Sequence, residues 1–172
     1  HVEAGLRSFD KTMPEEINRV ITDSIADILF TPSEDADKNL LREGVSPRNI
    51  HMVGNVMIDT LVRMLPRAKD RFKEIREKQE FSKNLLYGGF GLVTIHRPEN
   101  VDDASSLKAI MYGLAVISRK LPLIFPVHPR TRKQLKNMKN AVNGSGLYMI
   151  DPLSYLDFLA LQCNAMAVIT DS

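Results

Sequence analysis

The sequence predicts an α/β fold built on parallel sheets and arranged as two units, and three observations lead to it. From about residue 85 onward, four short apolar runs, Leu92–Ile95, Leu123–Val127, Leu147–Ile150 and Ala167–Thr170, alternate with helical stretches. Continuous apolar strands alternating with helices mark a parallel sheet wound on both sides, because each right-handed crossover lays a helix over the sheet. The same alternation occupies the first part of the chain, and a stretch dense in both charge signs, 67–83, separates the two. The expected organisation is therefore the end of one α/β domain over 1–64, a charged linker helix over 65–84, and the first half of a second doubly wound domain over 85–172. With 172 residues, 44% of them apolar and 26% charged, the chain can bury a core, and disordered and collagen-like classes are excluded.

Each element has a local reason. Thr12-Met13-Pro14-Glu15 reads as a capping-box start with proline in the first turn, and Ile17, Val20, Ile21, Ser24, Ile25 and Ile28 follow at helical spacing. Ile28–Thr31 is a strand candidate. Ser33 caps a helix running to about Glu43, Gly44 closes it, and Ile50–Val53 is the next short apolar run. Residues 56–83 read as helix in two pieces broken at Pro66, the second piece being a solvated connector. After the turn Tyr87-Gly88-Gly89-Phe90-Gly91, the four strands listed above are separated by helices over 104–120, 131–138 and 154–163.

Composition narrows the function. Twenty-three Lys and Arg against 21 Asp and Glu leave a formal charge of +2, too small and too scattered to attract nucleic acid. No apolar run approaches the ~20 residues of a membrane span, and there is no basic-then-apolar leader, so the expected location is the cytoplasm, with no membrane partner. The lone Cys163 and four histidines without paired spacing make a poor metal site. Residue 1 is His, and the last strand pattern stops at Thr170-Asp171-Ser172 without a returning helix, so both ends read as cut and part of the fold is expected to lie outside the chain.

In open α/β sheets the ligand crevice lies beyond the carboxyl ends of the strands. All four strands of the second domain end polar there: His96-Arg97, His128-Pro129-Arg130, Asp151-Pro152 and Asp171-Ser172. Histidines and arginines converging on helix N-termini suit a phosphate or diphosphate; the plainer alternative is that strands end polar because they reach water. The first domain offers carboxylates. Glu3 stands beside a glycine turn with no local capping role and is read as a buried carboxylate facing a ligand, Glu16 is read as a dipole or capping partner, and Glu15 is open between the two. Carboxylates facing a basic wall across a crevice suggest proton transfer near a phosphorylated leaving group.

Six ordered motifs carry a family resemblance: His-Val-Glu-Ala-Gly-Leu-Arg-Ser at 1–8, Met-Pro-Glu-Glu-Ile-Asn-Arg at 13–19, Val-Gly-Asn-Val-Met-Ile-Asp at 53–59, Thr-Ile-His-Arg-Pro-Glu-Asn-Val-Asp at 94–102, Pro-Val-His-Pro-Arg at 126–130 and Ile-Thr-Asp-Ser at 169–172. In order and spacing the chain resembles the middle of the non-hydrolysing UDP-N-acetylglucosamine 2-epimerases. The resemblance implies two Rossmann-like domains of GT-B type, both incomplete here. It implies cofactor-free interconversion of UDP-N-acetylglucosamine and UDP-N-acetylmannosamine, by elimination of UDP to a 2-acetamidoglucal and re-addition, in a homodimer. By matching motif positions, Glu3, Glu15 and His96 are the expected catalytic residues. Arg7, Asn55, Arg97, His128, Arg130 and Ser172 are the expected contacts to the UDP-sugar. Other family segments fall outside the chain, so these 172 residues alone are expected to be inactive. The competing readings are a hydrolysing epimerase, a GT-B glycosyltransferase, and a non-catalytic nucleotide-sugar-binding piece.

Overall fold

The computed structural model describes residues 1–77, 85, 86, 88–136 and 146–171. These residues form two compact units, His1–Arg63 and Met64–Ser172. None of the described helices is long and apolar enough to cross a membrane.

In the first unit, α1 (Pro14–Ile25), β1 (Leu29–Thr31), α2 (Glu34–Arg42), a 3-10 turn (Pro47–Asn49) and β2 (Ile50–Met52) follow in order. β1 and β2 pair in parallel with Leu29 opposite Ile50, and Val2 makes a further parallel bridge to Phe30. Leu29, Leu40 and Ala4 are buried together, with Ala26, Val45 and Ile50 packed against them. Ser33 caps α2 as expected by accepting the Ala36 N–H, and Gly44 closes the helix at φ 86°. The capping box at Thr12 does not form. Met13 is the N-cap of α1 without a side-chain bond, and Thr12 bonds through both N–H and Oγ1 to Asp10. The apolar stripe predicted on α1 also turns outward, with Ile17, Ile21 and Ile25 exposed and Glu16 and Asp23 buried. The inward carboxylates meet donors of the 1–9 segment, which satisfy them as an apolar wall would not.

Pro66 does not break the next helix. α3 runs from Val56 to Glu77 with Pro66 inside it. Its charged second half is not a solvated connector either. Ala68, Phe72 and Ile75 are buried in the second unit's core, and burying such side chains stabilises by roughly 1.5–3 kcal/mol each for the larger ones, enough to hold a helix across the missing hydrogen bond. The expected continuation over 78–83 lies outside the described residues.

The second unit contains β3 (Gly91–Thr94), a one-turn helix α4 (Pro98–Val101), α5 (Ala104–Ser118), β4 (Leu123–Pro126), α6 (Pro129–Lys136), β5 (Leu147–Ile150), α7 (Tyr155–Gln162) and β6 (Ala167–Thr170). All four strands are parallel, in the order β5-β4-β3-β6. Successive residues point to opposite faces of a sheet, and the core divides accordingly. Leu92 and Ile124 pack with Phe72 of α3 and Leu159 of α7, whereas Val93, Leu123 and Phe125 pack with Leu107, Met111 and Leu114 of α5. The sheet is thus covered by helices on both faces, and the second unit is a doubly wound parallel α/β sheet.

Candidate functional site

The strand order places the polar strand ends. The chain builds β3, β4 and β5 outward in one direction and then returns to lay β6 on the other side of β3. Such a reversal is where an open α/β sheet leaves a crevice beyond its strand ends. Thr94 of β3 pairs with Thr170 of β6, so His96, Arg97 and Asp171 leave the sheet at the same edge. Asp171 Oδ1 and Oδ2 lie 3.2 and 3.1 Å from the His96 N–H. Oδ2 also accepts from Arg97 N–H at 2.9 Å and Asn100 Nδ2 at 3.1 Å. The His96 ring nitrogen Nδ1 stands 3.5 Å from Oδ1. Burial works to raise the Asp171 pKa, but the hydrogen bonds from Arg97, Asn100 and His96 outweigh it and hold the carboxyl below its ordinary range. An ionised carboxylate fastening the His96–Asn100 turn leaves the His96 ring and the Arg97 side chain exposed at this strand-end edge.

The backbone N–H groups of His96 and Arg97 are bonded to Asp171, so these two residues have their side chains left for a diphosphate. His128 is exposed after β4, and Arg132 of α6 pairs with Asp151 after β5 at 3.1 Å. The Arg130 side chain and Ser172 lie outside the described part of the structure.

In the first unit the expected residues separate into two kinds. Glu3 is exposed, not buried as predicted, and its backbone is left-handed at φ 68°. Glu15 is exposed in the first turn of α1, where its carbonyl accepts from Arg19 Nε at 3.3 Å. Arg7, by contrast, does not offer charge to a ligand. Its guanidinium grips Glu43 through Nε at 2.7 Å and NH2 at 2.6 Å, and Asp23 through NH1 at 2.7 Å, with the side chain 1% exposed. The hydrogen bonds to Glu43 lead in raising its pKa, opposed by burial and aided by Asp23. Asn55 caps α3 by accepting the Met57 N–H at 2.9 Å, a structural task. Glu16 does not cap its own helix. It accepts the N–H groups of Ser8 and Phe9 at 2.9 Å each and pins the loop entering α1, where Phe9 is left-handed at φ 59°.

Reading residues one at a time placed Asp171 at a strand end without a partner and missed Asp23 altogether, because the partners that give them a role come from segments that only the fold brings together.

A profile described as UDP-N-acetylglucosamine 2-epimerase matches residues 1–172. The chain belongs to the UDP-N-acetylglucosamine 2-epimerase family. It is 42% identical to a UDP-N-acetylglucosamine 2-epimerase of Methanococcus maripaludis, an alignment covering 100% of this chain and 48% of that protein. Against a UDP-2,3-diacetamido-2,3-dideoxy-D-glucuronate 2-epimerase of Pseudomonas aeruginosa the identity is 38%, over 100% of this chain and 46% of the relative. Several solved structures match the whole chain, two of them with UDP-GlcNAc bound. The Methanocaldococcus jannaschii UDP-GlcNAc 2-epimerase in complex with UDP-GlcNAc and UDP superposes with a TM-score of 0.75 at 41% identity, over 48% of its chain. The Neisseria meningitidis epimerase bound to UDP-GlcNAc gives 0.82 at 28% identity, over 47%. The chain thus spans about half the length of the family members it matches.

Proposed function

We propose that the protein carrying this chain is an isomerase that interconverts UDP-N-acetylglucosamine and UDP-N-acetylmannosamine by eliminating UDP and adding it back. The observation that supports this most strongly is the match of the family over all 172 residues. The crevice edge with exposed His96 and Arg97 agrees with it. C2 of the sugar has no neighbouring carbonyl to stabilise a carbanion, so removing its proton must be coupled to loss of the anomeric oxygen as UDP. A positioned carboxylate takes the C2 proton as the C1–O bond breaks, and cationic donors stabilise the charge gathering on the departing diphosphate. Return of the proton from the opposite face, with UDP re-adding at C1, completes the epimerisation.

In this reading Glu3 and Glu15 transfer protons at C2. His96, Arg97, His128, Arg130 and Ser172 attend the UDP moiety, with His96 closest to the chemistry. Arg7, whose guanidinium is engaged by Asp23 and Glu43, holds the structure, while the exposed Asn55, its Oδ1 on the Met57 N–H, keeps its amide nitrogen for the UDP-sugar. No metal or nicotinamide is needed, and the enzyme works in the cytoplasm as a homodimer.

The experiment is turnover of UDP-N-acetylglucosamine by the full-length protein in heavy water. Epimerisation with deuterium entering C2, unaffected by EDTA, is the expected result. Glu3→Gln and Glu15→Gln should each retain UDP affinity and lose ~10²- to 10⁴-fold in rate. Release of free N-acetylmannosamine would identify a hydrolysing enzyme, glycosyl transfer without C2 exchange would identify a transferase, and UDP binding without turnover a non-catalytic protein.

A further inference from the structure

We propose that Asp23 is a positioning residue for proton transfer, holding the segment that carries Glu3 in the one backbone conformation that presents it; the proposal rests on the role given to Glu3 above. Asp23 lies on the inward face of α1 with its side chain 2% exposed, and none of its hydrogen bonds goes to Glu3. Its partners all come from the stretch around Glu3. Oδ1 meets His1 Nδ1 at 2.5 Å, and Oδ2 accepts Gly5 N–H at 3.0 Å and Arg7 NH1 at 2.7 Å.

Neighbouring elements close the same clamp. Asn39 of α2 donates to the Gly5 carbonyl at 3.0 Å, Ala4 N–H donates to the Phe30 carbonyl at 3.0 Å, and Phe30 N–H donates to the His1 carbonyl at 2.8 Å. Residues 1, 4, 5 and 7 are therefore fixed on both sides of residue 3. Gly5 is itself left-handed at φ 79°, and a Cβ there would lie 2.5 Å from the Ala36 carbonyl oxygen, so the turn is pressed against α2 with no space to relax. Glu3 is the unfixed member of this run, left-handed without being glycine and exposed. A left-handed glutamate is uncommon and persists where its surroundings over-determine it, often at functional sites. Asp23 joins three of these points, because one buried carboxylate satisfies a backbone N–H, an imidazole and a guanidinium at once.

The test uses the full-length protein. Asp23→Ala removes all three bonds, and releasing the turn should lower kcat by about 10²-fold, the scale of a misplacement near 1 Å, with KM for UDP-N-acetylglucosamine unchanged. Asp23→Asn keeps one oxygen for Gly5 and Arg7 and can turn its amide toward His1, and it should restore most of the rate. In a Glu3→Gln background, Asp23→Ala should cost no further rate, since no proton-transferring group is left at position 3 to misplace. If Asp23→Ala fails to fold, Asn39→Ala breaks the clamp at Gly5 without exposing a buried charge and should show the same fall in kcat at constant KM. An unchanged kcat in the folded variant, or an equal additional loss on top of Glu3→Gln, overturns the positioning role and leaves Glu3 in place. Full activity of Glu3→Gln overturns both readings.

Discussion

At the scale of single residues, the carboxylates of the first unit are divided by what they touch. Glu3 and Glu15 are exposed and available, while Glu16 and Asp23 are buried and spent on donors of the chain. The Glu16 pKa is lowered, first by the Ser8 N–H bond, against burial, with Phe9, the Ser8 hydroxyl and Arg19 adding to the effect. A lowered folded-state value means that the unfolded chain binds the proton more readily. The stabilisation is complete above the ordinary 4.5 and is lost as pH falls through the lower folded value. Melting temperatures of wild type and Glu16→Gln, followed from about pH 6 to about pH 3, should converge at the acid end. A gap of constant size would mean that Glu16 acts by shape alone. Sequence patterning assigned Glu16 to its own helix N-terminus because local spacing cannot see a loop that folds back onto it.

At the scale of elements, α3 shows how packing overrides propensity. A proline inside a helix removes the N–H that would bond to the Val62 carbonyl and crowds that turn, at ~3 kcal/mol or more. The exposed Pro66 makes no contact with the buried cluster to compensate, whereas Ala68, Phe72 and Ile75 do the holding. Pro66→Ala should therefore stabilise the protein. Part of the gain is offset by the greater freedom of the unfolded chain, ~0.4–1 kcal/mol, leaving about 2 kcal/mol. Urea unfolding should show a higher midpoint at unchanged slope. A lower midpoint would mean that the proline shapes a bend the fold requires.

At the scale of the whole molecule, the return of β6 beside β3 is the decisive topological event. It brings Asp171, 75 positions along the chain from His96, into contact with the turn that carries His96 and Arg97. Asp171→Ala removes three N–H partners and the carboxylate beside the His96 ring. Hydrogen bonds to a charged group are worth roughly 1.5–3 kcal/mol, and 1.4 kcal/mol is tenfold in affinity. UDP binding to the full-length protein, measured by calorimetry, should weaken about tenfold or more. A normal UDP Kd with only a lowered melting temperature would reduce Asp171 to a strap between strands.

The sequence by itself determined the class of fold, the order of its strands and helices, and the family. Apolar strand runs, the Ser33 cap and Gly44 act within a few residues, so the local pattern that encodes them is readable without coordinates. It also determined which polar residues stand at strand ends, because each follows its own strand directly. Tertiary structure decided how these residues are used. The burial of α1's acidic face, the capture of Arg7 by Asp23 and Glu43 and the fastening of His96 by Asp171 join residues from 7 to 75 positions apart, and the exposure of Glu3 likewise follows from packing. The physical reason is common to all of them. A charged side chain takes whichever donors desolvation leaves beside it, and which donors those are depends on the packing of distant elements.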